Sequence, residues 1–140
     1  GVDPVALLHK HGIHPNRDLE NHLYVSTGSL GSGLPIAIGH ALARPNKKVY
    51  CMISDGECAE GSIWESLRFI KENNLPNLHV YANINGMSAY DMIDVDYLVE
   101  RLKVFLPEIN IRISQPPNFP FAKGLLTHYY VLKPEDYAQL

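Results

Sequence analysis

The chain has 140 residues, 46% hydrophobic and 19% charged, which supports a folded core and excludes the low-hydrophobicity, high-charge balance of disorder. Its 12 Lys and Arg against 15 Asp and Glu give a formal net charge of -3; the cations are scattered, not gathered into the stripe that tracks a phosphate backbone, so nucleic acid is not an expected partner. No apolar run approaches the about 20 residues that span a bilayer, and Gly1-Val2-Asp3-Pro4 lacks the regions of a signal peptide, so a single cytoplasmic domain with no membrane partner is expected.

Cys51 and Cys58 stand seven positions apart, a spacing that suits neither a paired zinc knuckle nor a disulfide framework, and both are expected to be buried thiols. In chain order, residues 31–43 open with Gly31-Ser32-Gly33 and continue small and apolar almost all round, predicting a buried helix with Pro35 in its first turn. Val49 to Ile53 is a continuous apolar run that stops at Ser54-Asp55-Gly56, as in a strand covered on both faces. Ile63, Trp64, Leu67 and Ile70 then recur at helical spacing, with Glu65, Arg68, Lys71 and Glu72 between them, until Asn73-Asn74 and Pro76 end the pattern.

Leu78 to Ile84 predicts the next strand, so residues 48–84 form a strand-helix-strand unit with a right-handed crossover. A helix over about 94–105 and a strand over Ile109, Ile111 and Ile113 continue the alternation, and Gln115-Pro116-Pro117-Asn118 breaks the chain before its last segment. The expected fold class is α/β, an open, mainly parallel sheet flanked by helices.

Ligands of open α/β sheets bind beyond the carboxyl ends of the strands, and here both central strands finish in short polar segments, Asp55-Gly56-Glu57 and Asn83-Ile84-Asn85-Gly86. The carboxylate of Asp55 and the amide oxygen of Asn85 are hard ligands suited to Mg²⁺ or Ca²⁺, and neither gives enough coordination alone. Gly56 lets the chain turn sharply and bring N–H groups against an anion, with the positive end of the following helix nearby. Asp-Gly and Asn-Gly are also ordinary turn dipeptides, so composition and spacing suggest an anion site and no more.

Taken together, Ser26-Thr27-Gly28-Ser29-Leu30-Gly31-Ser32-Gly33-Leu34 and Ser54-Asp55-Gly56-Glu57-Cys58-Ala59-Glu60-Gly61-Ser62-Ile63-Trp64-Glu65 resemble two signature stretches of the transketolase family. Asn77-Leu78, and Asn85 at 30 positions after Asp55, resemble the rest of the thiamine-diphosphate motif that opens with Gly-Asp-Gly and closes on asparagine. The resemblance is to the family's N-terminal, diphosphate-binding domain, in a short or split form. It implies that Asp55, Asn85 and the backbone carbonyl of Met87 hold the metal and that Gly56, Glu57 and Asn85 line the diphosphate. Gly28 and Leu30 would border the cofactor, with Leu30 near its rings. It further implies that Glu60 faces a partner subunit, that His14 in His14-Pro15 helps bind substrate and assists proton transfer, and that His128 in His128-Tyr129 contacts diphosphate or donor sugar. Trp64 and Glu65 serve helix packing and surface, and His9, His11, His22, His40 and His79 carry no motif.

The resemblance covers roughly residues 12–91 well and the last dozen loosely. Ser54 stands where the motif has its first glycine, Gly86-Met87-Ser88-Ala89-Tyr90 is an unusual version of its segment, and residues 106–127 match poorly. No stretch resembles the pyrimidine-binding domain, which in the family supplies the glutamate that activates the cofactor's aminopyrimidine. The implied function is a thiamine-diphosphate- and Mg²⁺-binding part of a transketolase-like enzyme. Such an enzyme moves a two-carbon ketol unit between sugar phosphates, and this part of it is inactive without a pyrimidine-domain partner and assembled as a homodimer or heteromer. A non-catalytic scaffold or regulatory domain, and a 2-oxoacid dehydrogenase or decarboxylase component, are the alternatives.

Overall fold

The computed structural model describes residues 2–88, 91–115, 119–124, 127 and 130–139, and the chain divides into two compact units, Gly1–Leu30 and Gly31–Leu140.

The first unit opens with a helix that no apolar stripe announced, α1 (Pro4–His11), none of whose residues is buried. Local chemistry accounts for it. The Asp3 carboxylate accepts the Val5 N–H at 2.9 Å, Pro4 occupies the first turn, where an N–H would lack a partner, and Gly12, at φ 74°, stops the helix while its N–H donates to Leu8 O. Its basic last turn also meets a carboxylate: Asp18 accepts from Lys10 Nζ at 2.6 Å, His11 Nε2 at 3.0 Å and Asn21 Nδ2 at 2.8 Å. These bonds, that from Lys10 foremost, hold the Asp18 carboxyl well below the usual carboxylate range.

The second unit contains α2 (Gly33–Ala43), β1 (Val49–Ser54), α3 (Gly61–Asn73), β2 (Leu78–Ile84), α4 (Val95–Phe105) and β3 (Asn110–Ile113). The three strands are parallel in the order β1-β2-β3, Val49 aligning with Leu78 and Ile84 with Ile113. The α/β class, the open parallel sheet and the flanking helices are as the sequence predicts. So is the unit β1-α3-β2, whose helix buries Ile63, Leu67 and Ile70.

Coverage of the sheet departs from expectation. Leu34, Ile38 and Ala41 of α2, Ile63, Leu67 and Ile70 of α3, and Leu98 and Leu102 of α4 share one core with Ile53, Leu78, Val80, Ala82 and Ile84. In a strand, alternate residues point to opposite faces, so these strand residues all lie on one side. On the other side Tyr50 and Met52 are 62% and 74% exposed, and β1 is therefore covered on one face, not both. The strand order explains it: successive crossovers of one hand, stepping in one direction, carry every connecting helix to the same face. The helix over 33–43 is likewise buried on one side only, with Leu42 exposed.

Asn77 ties the amino-terminal edge together. Its Nδ2 donates to Ala41 O, Arg44 O and Lys47 O at 3.0–3.2 Å, satisfying carbonyls that the end of α2 leaves open. The break at residues 116–118 lies outside the described residues. In the segment beyond it, Asp136 is buried and accepts from the Tyr130 hydroxyl and the Lys133 N–H, each at 2.8 Å.

Candidate functional site

At the carboxyl ends of β1 and β2 the Asp55 side chain is 3% exposed. Its Oδ2 accepts two backbone N–H groups from the neighbouring strand end, those of Asn85 and Gly86, each at 2.8 Å. A charged acceptor makes such bonds short and strong. The 30-residue interval in sequence becomes a direct contact because parallel pairing sets Ser54 beside Asn83, placing the residues after each strand side by side.

The loop after β2 is shaped by its own side chains. Asn85 Oδ1 accepts the Met87 N–H at 2.9 Å, a local turn typical of asparagine. Gly86 follows at φ 83°, where a side chain would be strained and its Cβ would also stand 3.4 Å from Val95. The Gly86 carbonyl accepts from Ile93 N–H at 2.9 Å, and Met87 is buried. Asp55, Asn85 and Met87, the residues expected at a metal, are thus gathered by one loop and one carboxylate.

The donor set suits a hard divalent cation. It comprises one carboxylate whose Oδ1 takes no hydrogen bond from the described residues, one amide oxygen with a second lone pair, and a backbone carbonyl. Among the described residues no three His, Cys, Asp or Glu side chains cluster as a self-sufficient metal site, so the remaining ligands would come from a bound anion and water.

Gly56 is a correction in detail. Its backbone lies at φ -60°, ψ -39°, which any residue adopts, so the turn does not require glycine for its angles. Ser54 does more than the glycine it replaces in the motif: its hydroxyl accepts the Glu57 N–H at 3.3 Å, satisfying one donor of the short 3-10 turn Glu57–Ala59. Glu57 is half-buried beside this turn. Glu60 follows as the residue before α3 and makes no capping bond with its side chain. Gly31, at φ 78°, lies so close to it that an added Cβ would stand 2.6 Å from Glu60 Cβ and 2.4 Å from Ser62 Oγ, whose hydroxyl donates to the Gly31 carbonyl.

The other expected residues lie in the first unit. Gly28, at φ 111°, packs against His14, whose Cγ would be 3.2 Å from a Cβ there. The two arms of this loop are joined by Thr27 N–H to Pro15 O at 3.0 Å and Arg17 N–H to Ser26 Oγ at 3.0 Å. His14 is exposed and Leu30 half-buried. His128 lies outside the described residues.

Comparison with known proteins bears on both groups. Residues 5–95 match the family model described as "Thiamine pyrophosphate enzyme, C-terminal TPP binding domain". The chain belongs to this family of TPP-binding domains. Where the sequence resemblance pointed to an N-terminal domain of transketolases, the matched model is that of a C-terminal domain; the ligand named is the same. The TPP-binding domain is also 40% identical to a transketolase of Pongo abelii over 72 residues, 48% of this chain and 12% of the relative. It is 38% identical to a transketolase of Mus musculus over 81 residues, 54% and 13%. To a transketolase-like protein 2 of Homo sapiens it is 39% identical over 82 residues, 50% and 13%. These matched stretches are thus about an eighth of the length of the curated relatives.

The TPP-binding domain also contains a cleft the sequence did not announce. Asp55, Cys58, Ala59, Ser88, Ile93, Asp94, Tyr97, Leu98 and Arg101 line a cavity of ≈ 280 Å³ between the turn after β1 and α4. Trp64 anchors its wall by donating from Nε1 to Cys58 O at 2.9 Å and by packing edge-on against Phe105. A signal for Arg101 was available: it falls four residues after Tyr97 on one helix face. Burial pushes the Cys58 thiol up to about 12, with Asp55 and Glu57 adding to the rise, and the Cys51 thiol up to about 11. Both are free, and Cys51 is half-buried where full burial was expected.

Proposed function

We propose that this chain is the part of a transketolase-like enzyme that holds the diphosphate of thiamine diphosphate and its divalent metal, Mg²⁺ or Ca²⁺. The enzyme transfers a two-carbon ketol unit between sugar phosphates in the cytoplasm. The observation that carries the reading is the pair of 2.8 Å bonds from Asn85 and Gly86 N–H to the buried Asp55 carboxylate. They fix the loop that carries Asn85 Oδ1 and the Met87 carbonyl before any ion arrives, so metal binding need not order it. Asp55, Asn85 and Met87 would hold the metal, and Gly56 and Glu57 with Asn85 would line the diphosphate. The chemistry supplied by bound thiamine diphosphate is stabilisation of a carbanion at the former carbonyl carbon.

The roles proposed for the chain's other residues follow the same reading. Gly28 and Leu30 border the cofactor, and His14, whose ring lies where a side chain at Gly28 would reach, binds substrate and moves protons on its hydroxyls. His128 contacts diphosphate or donor sugar. Glu60 faces a partner subunit in a homodimer or heteromer, and a pyrimidine-binding domain or subunit supplies the glutamate that activates the aminopyrimidine. Support for the transketolase class comes from relatives of that name matching half of this chain.

Calorimetric titration of the chain with thiamine diphosphate in Mg²⁺ tests the cofactor site. Saturable heat is expected for the native chain and none for Asp55→Ala or Asn85→Ala. Heat that persists undiminished in both variants, or that is absent from the native chain even with a pyrimidine-domain partner added, would overturn the reading.

A further inference from the structure

The cleft between the turn after β1 and α4 contains a cation with no anionic partner among the described residues. Arg101 is half-buried, its guanidinium carbon lying 4.1 Å from the centre of the Trp64 ring and 5.3 Å from that of Tyr97. Among the described residues it makes no ion pair, whereas Arg68 pairs with Glu72, Lys71 with Glu108 and Lys10 with Asp18. Arg44 and Arg112 are also unpaired there, but both are exposed, and water satisfies them.

The two carboxylates that share the cleft each have one oxygen bonded to backbone N–H groups, and neither pairs with Arg101. Asp55 Oδ2 accepts from Asn85 and Gly86, and Asp94 Oδ1 accepts the Tyr97 N–H at 3.0 Å as the cap of α4. A guanidinium held over aromatic rings still offers a planar fork of N–H donors, and that fork matches a carboxylate in two parallel bonds. The remaining walls are Ser88 and the mostly apolar Cys58, Ala59, Ile93, Leu98 and Tyr97 ring. The combination is that of a small-ligand pocket: apolar walls with four orienting polar groups, Arg101, Asp55, Asp94 and Ser88, just below the usual size.

We propose that this cleft binds a small organic carboxylate with an apolar body, the carboxylate on the Arg101 guanidinium and the body against Ile93, Leu98 and Tyr97. Asp55 forms one wall of the cleft and is also a proposed metal ligand, so an occupant would sit directly beside the proposed cofactor site.

Benzoate is the probe and benzamide its neutral isostere, each titrated into the full chain and followed by NMR. Saturable shifts at Ile93, Tyr97, Leu98 and Arg101 are expected with benzoate, and binding at least tenfold weaker with benzamide. Arg101→Gln, which keeps most of the stem over Trp64, is expected to weaken benzoate at least tenfold, and Arg101→Lys, which keeps the charge but not the fork, to weaken it measurably. Thiamine diphosphate heat in Mg²⁺ is expected to survive in Arg101→Gln, which separates failure here from failure of the cofactor site. The inference is overturned if benzoate gives no saturable shift at these residues, if benzamide binds as well, or if a folded Arg101→Gln or Arg101→Lys chain binds benzoate as the native chain does.

Discussion

Asp55 is expected at the metal and His14 at the substrate, and the chain secures them in different ways. Asp55 is 3% exposed and clamped by two backbone N–H groups that reach it from the adjacent strand end. His14 is exposed and sits in a loop pinned by two hydrogen bonds, its ring next to the space that a side chain at Gly28 would fill. The difference matches the tasks proposed for them. A metal ligand works when its position does not change, whereas a histidine that touches substrate and moves protons needs access to it.

The largest effect expected from breaking this contrast is at Asp55. Replacement by Ala strands two N–H groups in a buried place, each worth about 1–3 kcal/mol. We expect the urea midpoint of Asp55→Ala to fall by the equivalent of about 3 kcal/mol, while His14→Ala leaves it within about 0.5 kcal/mol. Equal midpoints would show that the Asp55 clamp carries no stability.

A second, smaller pair of changes sharpens the comparison through glycine. Gly31→Ala meets both a positive φ and contacts of 2.4 and 2.6 Å with Ser62 and Glu60, and is expected to cost about 2–3 kcal/mol. Gly28→Ala meets a positive φ and a 3.2 Å contact with one side chain, that of His14, and is expected to cost about 1 kcal/mol, with the His14 ring resonances displaced. Chemical denaturation ranks the two; the reverse ranking would contradict the packing described around Gly31.

The smallest effect expected below pH 9 concerns Cys58. Because its folded thiol is raised from 9.0 to about 12, its stabilising contribution is complete below pH 9 and is lost as the pH climbs from 9 towards 12, the unfolded chain ionising first. Alkylation by iodoacetamide at pH 8 is expected to be slow in the native chain and fast in urea. A native rate equal to the unfolded one would remove the case for a shielded thiol.

How much of this was legible beforehand varied with the range of the interaction. The strands Leu78–Ile84 and Val49–Ser54 and the helix Gly61–Asn73 were visible because each carries its periodicity within a dozen residues. Helix α1 was not, since it buries nothing and rests on Asp3, Pro4 and Gly12, caps that are read only once a helix is suspected there. The bare face of β1 was unreadable because a continuous apolar run such as Val49–Ile53 looks the same whether one or both sides are covered. The pairing of Asp55 with residues 85–87 was suggested by a motif, but the atoms that make it, Oδ2 and two main-chain N–H groups, were not.

By itself, then, the sequence determined the α/β alternation and the polar ends of two adjacent strands, where Asp55 and Asn85 offer hard oxygens, because these depend on side-chain type and short-range period. The tertiary structure alone decided three further things. It placed the 30-residue interval from Asp55 to Asn85 in hydrogen-bond contact, left Tyr50 and Met52 on one face of β1 exposed, and set Arg101 near Trp64 and Tyr97 with no ion pair among the described residues. Each of these depends on which distant groups the parallel register and the single-sided helix layer bring together, and that geometry is fixed only when the whole core packs.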